Sequence, residues 1–211
     1  MTVWQGSPAR KPPAVRLARA VAASVPRRHC ARDEERSGAS SARPEVSLAV
    51  RAKDLEGLVE RLGDSEVVVS AQPNFLKWAR EGGLYDARLG VERRRDSNRF
   101  GALQDAGATL AFGSDCMPMG PLYGIQQTVT APEPAQRLSV TDAVRAYTHG
   151  AAYAGFDEER MGAVERGKCA DFTVLEASPW NVPDDEITDI DVAMTVVGGE
   201  VVDPAEATAD D

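Results

Sequence analysis

The sequence predicts an α/β fold over residues 54–160, followed by a β-rich region over residues 161–211. Two helix-then-strand pairs support the α/β part: a helical repeat over 55–62 precedes the apolar run 66–71, and a second helical segment precedes the apolar run 108–112. Apolar strands that are separated by helices are typical of parallel sheets. A Gly-Gly pair between two β-branched runs near the carboxyl terminus predicts a β-hairpin.

The segment between the two apolar runs carries weaker signals. Residues 76–96 are charged and show no clear period, so they predict a long loop with one or two helical turns. After this loop, Ser97 can cap a helix in which Phe100 and Leu103 face inward. Gly107 then ends that helix before the strand over 108–112.

The region after the second strand predicts one longer helix and three strands. Ser139 and Asp142 have the spacing of a capping box, and the helix that they begin runs to about Gly155. Tyr147 belongs to its buried stripe, whereas His149 lies on the more polar side and is predicted to be exposed or hydrogen-bonded. The strands are predicted over 171–175, 192–197 and 200–202.

The composition describes a chain that can bury a core, with 43% apolar residues and a mean hydropathy of −0.32 over 211 residues. No stretch approaches ~18 uninterrupted apolar residues, and the start lacks the layout of a secretory signal, so we expect a cytoplasmic protein with no membrane partner. Cys30, Cys116 and Cys169 are too few and too widely spaced for a disulfide framework or a zinc knuckle. They are predicted to be reduced.

Residues 1–53 differ from the rest of the chain in charge. They carry 11 Lys and Arg against 4 Asp and Glu, whereas residues 54–211 carry 13 against 29. The first segment is rich in Ala, Arg, Ser and Pro, and we expect it to be irregular or disordered because it has little apolar surface to bury. Three interpretations stay open: a basic arm for nucleic acid, a disordered tail, and a GC-rich reading frame translated out of register. The lack of interleaved aromatic residues and the acidic body argue against a nucleic-acid partner.

The hexapeptide GSDCMP over residues 113–118 is the most informative motif. Asp115 lies just past the carboxyl end of a predicted parallel strand, which is where α/β barrels and open α/β sheets place their chemistry. Gly113 allows the backbone to turn sharply at this point. Taken alone, a capping role for Asp115 in the following turn or helix is the simpler interpretation.

Several phrases in this order resemble the C-terminal part of the metal-dependent amidohydrolases. They are VVVSAQPNF at 67–75, the phrase around Asp115, AVRAYTHGAAYA at 143–154, MGAVERGKCADFTVL at 161–175 and VVGGEVV at 196–202. The chain is most similar to the amidohydrolase 3 branch, which includes enzymes like the N-substituted formamide deformylases. The resemblance covers roughly residues 54–204.

The resemblance implies the last strands and helices of a (β/α)8 TIM barrel, together with the C-terminal strands of a small β-sandwich. It also implies that Asp115 binds a catalytic zinc or another divalent metal and handles the proton of the attacking water. Gln72 and Asn74 would lie at the same end of the barrel as Asp115 and contact a small amide-type substrate. The implied reaction is hydrolysis of a non-peptide carbon–nitrogen bond in that substrate. Turn formation at Pro73 and Asn74 is a simpler account, and Cys116 is expected to be a small buried residue.

The chain departs from the family in its histidines. It contains only His29 and His149, and it lacks the His-x-His and Arg-x-Glu-His phrases that the family would place upstream. Because a catalytic zinc usually has three protein ligands, the metal site is predicted to be incomplete. We therefore expect a C-terminal fragment that is inactive alone, or that depends on a homo-oligomer or a complementing chain. Its expected parts are a low-complexity segment over 1–53, a barrel part over 54–160 and a sandwich part over 161–211.

The region over 54–211 also has a surface signature. Its 29 acidic residues are accompanied by only two lysines, Lys77 and Lys168. An acidic, lysine-poor surface suits a cytosol of high salt concentration, in which ions screen the self-repulsion of the chain. This composition predicts a halophilic protein.

Overall fold

The computed structural model describes residues 15–18, 45–47, 68–115 and 120–202. Several sequence predictions lie outside these residues. They are the helix over 55–62, the first two residues of the predicted strand 66–71, and the environments of His29, Cys30 and Cys116.

A parallel sheet forms the centre of the first half of the described chain. Strand β1 (Val15–Ala18) belongs to another sheet. The strands of the parallel sheet are β2 (Glu45–Ser47), β3 (Val68–Ala71) and β4 (Thr109–Phe112), in the order β2-β3-β4. All pairings are parallel, with Val69 opposite Leu110. Nearly every residue of β3 and β4 is buried, as expected for apolar strands of a parallel sheet. The predicted α/β alternation is confirmed here, although the described strands form no closed barrel.

The connection from β3 to β4 is more helical than the sequence predicts. It contains a 3-10 helix (Pro73–Trp78) and three short helices: α1 (Leu84–Leu89), α2 (Val91–Arg95) and α3 (Phe100–Asp105). The predicted helical turns over 76–96 are present, but less of this segment is loop than predicted, because tertiary contacts stabilise turns whose own period is weak.

The predicted cap of α3 is also wrong. Arg99, not Ser97, precedes this helix at the cap position. The Ser97 hydroxyl instead donates a hydrogen bond to the Arg94 carbonyl oxygen at 2.7 Å. The hydroxyl thus pairs with a carbonyl oxygen in the last turn of α2, rather than with an amide in the first turn of α3.

The helices after β4 cover the parallel sheet. They are α4 (Pro121–Val129), a 3-10 helix (Pro134–Gln136) and a continuous helix made of α5 (Val140–Arg145), a π-helical turn (Ala146–Gly150) and α6 (Ala151–Ala154). The Ser139 hydroxyl accepts a hydrogen bond from the Asp142 amide at 3.1 Å, so the predicted cap is confirmed. The helix ends at Gly155, as predicted.

The hydrophobic core lies between the parallel sheet and these helices. Gly150 sets the approach, because a Cβ at this position would lie 1.9 Å from the Leu110 carbonyl oxygen. A residue with a side chain would thus hold the π-helical turn away from β4. The largest contributors to this core are Val69, Leu76, Phe100, Leu103, Leu110, Phe112, Ile125, Val144, Tyr147 and Ile187.

A second, antiparallel sheet contains the C-terminal strands. Its strands are β1 (Val15–Ala18), β5 (Phe172–Leu175), β6 (Val192–Val197) and β7 (Glu200–Val202), in the order β1-β5-β6-β7. A 3-10 helix (Asp184–Asp189) lies between β5 and β6. The three C-terminal strands and the hairpin between β6 and β7 are confirmed, within a residue at the start of β5.

Two predictions about the remaining regions need correction. Residues 1–53 are not irregular throughout, because β1 and β2 lie within them and pair with β5 and β3. Cys169 is disulfide-bonded, so the prediction that all three cysteines are reduced is wrong. The strands within residues 1–53 form although this segment has few apolar residues, because a neighbouring strand supplies their hydrogen bonds.

No helix within residues 68–115 and 120–202 combines the length and the apolar character that crossing a bilayer requires.

Candidate functional site

The ends of β3 and β4 bring the predicted site residues to one edge of the parallel sheet. Ala71 lies opposite Phe112, and the Gly113 amide donates a hydrogen bond to the Ala71 carbonyl oxygen at 3.1 Å. The segments that begin at Gln72 and Gly113 therefore leave the sheet side by side. This edge is the one at which α/β folds collect functional groups.

Asp115 lies at this edge with an exposed side chain and an unusual backbone. Its φ is +47°, in the left-handed region that non-glycine residues rarely adopt. Such a conformation costs roughly 1–2 kcal/mol and persists only where the surrounding structure holds it. Aspartate tolerates it better than most residues, so the sequence places a suitable carboxylate at a strained turn.

Gln72 and Asn74 differ sharply in exposure. Gln72 is half-buried, whereas Asn74 is fully buried, at 0% exposure. The Tyr147 hydroxyl donates a hydrogen bond to Asn74 Oδ1 at 3.1 Å, which joins the segment after β3 to the π-helical turn. Asn74 thus lies beneath the edge, and Gln72 is the member of the predicted pair that is open to solvent.

Tyr147 is a residue of this edge that the sequence prediction placed only in the hydrophobic stripe. Burial raises the pKa of its hydroxyl, and a hydrogen bond from the Ser114 side chain partly offsets this rise. The hydroxyl therefore joins the π-helical turn to the segment after β3 through Asn74. A signal was present in the sequence, because a tyrosine in a core stripe needs a hydrogen-bond partner for its hydroxyl.

The donor set available for a metal is small. Among residues 68–115 and 120–202, no three His, Cys, Asp or Glu side chains come together in a group that could hold an ion. His149 is exposed, as predicted, and its ring stacks on Tyr153 with centroids 6.3 Å apart. The described residues therefore do not fit a complete zinc site, which usually needs three protein ligands.

The surroundings of the site contain a buried polar cluster in the connection from β3 to β4. Arg94 is 4% exposed, and its Nε lies 2.6 Å from Asp86 Oδ1. It also donates to the Ala79 carbonyl oxygen at 3.1 Å, and Glu133 Oε1 lies 3.6 Å from its Nη1. These contacts tie α2 to the chain that leaves the sheet edge, so they stabilise the segment next to the site.

Comparison with known proteins gives the family of this chain. Residues 14–203 match the model of the amidohydrolase family. Putative amidohydrolase YtcJ of Bacillus subtilis (strain 168) is 29% identical over 157 residues, which cover 69% of this chain and 29% of YtcJ. Protein LONG AFTER FAR-RED 3 of Arabidopsis thaliana is 33% identical over 159 residues, which cover 70% of this chain and 27% of that protein.

A solved structure gives the same result. The crystal structure of an uncharacterized metal-dependent hydrolase from Pyrococcus furiosus superposes with a TM-score of 0.52 at 29% identity, over 66% of this chain and 29% of that one. The chain thus spans less than a third of the length of these relatives. The family match also begins at residue 14, so it includes much of the segment that the composition set apart. The resemblance that the motifs predicted is confirmed, and the chain belongs to the amidohydrolase family.

Proposed function

We propose that this chain supplies the last parallel strands and the acidic residue of a hydrolase that cleaves non-peptide carbon–nitrogen bonds in small amide-type molecules. One observation carries the proposal: Asp115 is exposed in a left-handed turn directly past a buried parallel strand. The membership of the chain in the amidohydrolase family supports the reaction class.

In this proposal, Asp115 moves a proton. One carboxylate oxygen takes the proton of the water that attacks the carbonyl carbon, and then gives it to the leaving nitrogen as the carbon–nitrogen bond breaks. Gln72 leaves the same sheet edge with a half-buried amide, and we assign it the hydrogen bond to the substrate. Asn74 was predicted to share this contact, but its full burial means that it would first have to be uncovered.

The cofactor of the proposal is zinc or another divalent cation. Asp115 is the candidate donor at this edge, and no group of three donors forms in the described part of the chain, so we derive no step through the metal. The further ligands would come from residues outside the described ranges or from a complementing chain. The similarity to the uncharacterized metal-dependent hydrolase of Pyrococcus furiosus supports the choice of cofactor class.

A second candidate function is that of an inactive or partner-dependent portion of such an enzyme. The small donor set among the described residues favours this alternative. It predicts that the chain binds zinc below stoichiometry and hydrolyses no amide by itself. Metal analysis of the purified chain distinguishes it from the first proposal, which predicts one or more tightly bound ions.

An activity assay tests the role of Asp115. The wild-type chain and Asp115→Asn are compared on a panel of N-formyl and N-acetyl amines, with and without added zinc. We expect at least a 100-fold lower kcat/KM for the variant, because general acid–base groups contribute about 10²–10⁴-fold. The matched control is Asp105→Asn, which changes another exposed aspartate at the end of α3 and should stay within twofold.

The outcomes of this assay separate the two candidates. Hydrolysis that is equal in the wild type and Asp115→Asn would contradict the catalytic role of Asp115. No hydrolysis by the wild type under any metal condition would support the inactive or partner-dependent portion.

A further inference from the structure

The 3-10 helix that follows β3 carries a row of half-buried side chains on one side. Side chains three positions apart lie on the same face of such a helix, because it has three residues per turn. The exposure of this segment repeats with that period: Gln72, Phe75 and Trp78 are half-buried, whereas Pro73, Leu76 and Ala79 are buried. The Phe75 amide donates a hydrogen bond to the Gln72 carbonyl oxygen at 3.1 Å, so the first turn joins these two residues.

Two buried side chains fix the rotation of this helix about its axis. Asn74 is fully buried, and its Oδ1 accepts a hydrogen bond from the Tyr147 hydroxyl at 3.1 Å. Leu76 has 0% exposure and belongs to the hydrophobic core. Because Asn74 and Leu76 both face the interior, Phe75 is left on the open side of the helix, in the row that begins at Gln72.

Phe75 and Trp78 form a stacked pair on this open side. Their ring centroids lie 4.9 Å apart, with 28° between the ring planes, so the two side chains share a face as the period of three requires. Tyr85 also packs on Trp78, with centroids 6.3 Å apart, and the Lys77 ammonium lies 5.0 Å from the Trp78 ring centroid. Along the row, Phe75 stands between this packed ring and Gln72, and part of its surface is exposed.

The composition of this row is that of a small-molecule site. Such sites combine apolar and aromatic side chains with a few polar groups that fix the orientation of the ligand. Here one amide, Gln72, is followed by two rings, and the row begins at the sheet edge that carries Asp115. This continuity with the candidate site favours a part of the substrate as the occupant of the row.

We propose that Phe75 is a specificity residue that packs against an aromatic substituent of the amide substrate. The inference rests on the proposed function, in which the Gln72 amide hydrogen-bonds to the substrate. Phe75 lies one turn beyond Gln72, roughly 6 Å along the axis at about 2 Å per residue. A substituent that extends from an amide bound at Gln72 along the row therefore meets the Phe75 ring. Aromatic groups stack on such a ring or meet it edge to face, which aliphatic groups of the same size do not.

An NMR titration of the full chain tests this preference. The ligands are N-phenylacetamide and N-cyclohexylacetamide, which share the acetamide group and the ring size and differ in aromaticity. We expect the wild type to bind N-phenylacetamide at least twofold more tightly, as measured from the shift of the Phe75 amide signal. The stabilisation of aromatic pairs beyond their buried area corresponds to about two- to twelvefold in Kd. Equal Kd values for the two ligands would overturn the inference.

A pair of variants assigns the preference to a residue. Phe75→Leu removes the ring and keeps an apolar side chain, and we expect it to bind the two acetamides equally. Phe172→Leu is the matched control, because it removes another half-buried phenylalanine ring, in β5 of the antiparallel sheet, and it should keep the wild-type preference. A preference that persists in Phe75→Leu, or that is also lost in Phe172→Leu, would contradict the role of Phe75.

A measurement on the wild type alone decides the matter if Phe75→Leu does not fold. Nuclear Overhauser contacts are expected between the phenyl protons of bound N-phenylacetamide and the ring protons of Phe75. Their absence at a saturating ligand concentration would overturn the inference.

Binding needs no hydrolysis, so these measurements separate the two proposals. If Asp115→Asn hydrolyses amides as well as the wild type does, the catalytic role of Asp115 fails, and the titration still reports whether the aromatic substituent binds at Phe75. If the wild type hydrolyses amides through Asp115 but shows no preference for the phenyl group, only the role of Phe75 fails.

Discussion

The parallel and antiparallel sheets place similar valine-rich strands in opposite environments. In β3, Val68 and Val69 are buried, whereas Val192 in β6 is 54% exposed and Val201 in β7 is 65% exposed. Helices cover the parallel strands, while the described chain leaves much of β6 and β7 open. A β-branched sequence therefore favours the strand conformation in both sheets, whereas the covering elements set how deeply each strand is buried.

The two regions also differ in how they use polar groups. The parallel region buries Arg94, Asn74 and Gln136, each with hydrogen-bond partners. In the antiparallel sheet, the contact between the Gly198 amide and Asp171 Oδ1, at 2.6 Å, is exposed. Buried polar contacts fix geometry more strictly than exposed ones, because an unpaired buried group is costly. The candidate site lies in the region that has such contacts.

The largest expected effect comes from the contact of the π-helical turn with β4. Gly150→Ala should lower the free energy of unfolding by about 3 kcal/mol, because the new Cβ would meet the Leu110 backbone. Urea unfolding followed by circular dichroism measures this loss. Gly155→Ala is the matched control, since its Cβ would meet atoms at 3.5 Å or more, and its effect should stay below about 1 kcal/mol. Equal losses in the two variants would contradict the close approach.

Two neighbouring arginines test the buried polar cluster. Arg94→Ala should lower the free energy of unfolding by about 2 kcal/mol, because the buried guanidinium contacts the Asp86 carboxylate and a backbone carbonyl. Arg95→Ala should change it by less than about 0.5 kcal/mol, since its side chain is 60% exposed and its ion pair with Glu133 is screened by solvent. Chemical denaturation measures both. Similar losses would show that burial does not distinguish the two sites.

The same valine-to-threonine substitution should have different effects in the two sheets. Val69→Thr puts a hydroxyl into the core of the parallel region and should lower the free energy of unfolding by about 1–3 kcal/mol. Val201→Thr puts the same hydroxyl on the open antiparallel strand β7, where we expect a change within about 0.5 kcal/mol. Thermal and urea unfolding measure the pair. A larger loss for Val201→Thr would mean that β7 is covered in solution.

The smallest expected effect is a dependence of stability on pH at Asp86. The Gly82 amide hydrogen bond at 2.7 Å lowers the pKa of the Asp86 carboxyl, and Arg94 lowers it further. Because the folded pKa lies below the unfolded one, Asp86 contributes stability above its ordinary pKa of about 4 and loses it as the pH falls through the folded pKa. Urea unfolding between pH 7 and pH 3 should therefore show a shallower decline for Asp86→Asn than for the wild type. Parallel declines would contradict this assignment.

Local patterns predicted much of the architecture. The strands β4, β6 and β7, the Gly-Gly hairpin and the cap at Ser139 depend on residues within a few positions of one another, and all are confirmed. The helical extent of the connection over 76–96 was underestimated because its helices are short and gain their stability from contacts such as that of Arg94 with Glu133. The strands β1 and β2 were missed because their partners lie far along the chain.

Motifs and local patterns were enough to predict the family, the α/β alternation and the position of Asp115 just past a buried strand. Only the tertiary structure decided that Asn74 is buried and that Tyr147 reaches it from 73 positions away. It likewise decided that Gly124 and Gly150 serve close approaches of a helix to a hydroxyl and to a strand. The physical reason is that periodicity and capping act over one or two turns of chain, whereas hydrogen bonds across a core depend on which distant elements pack together.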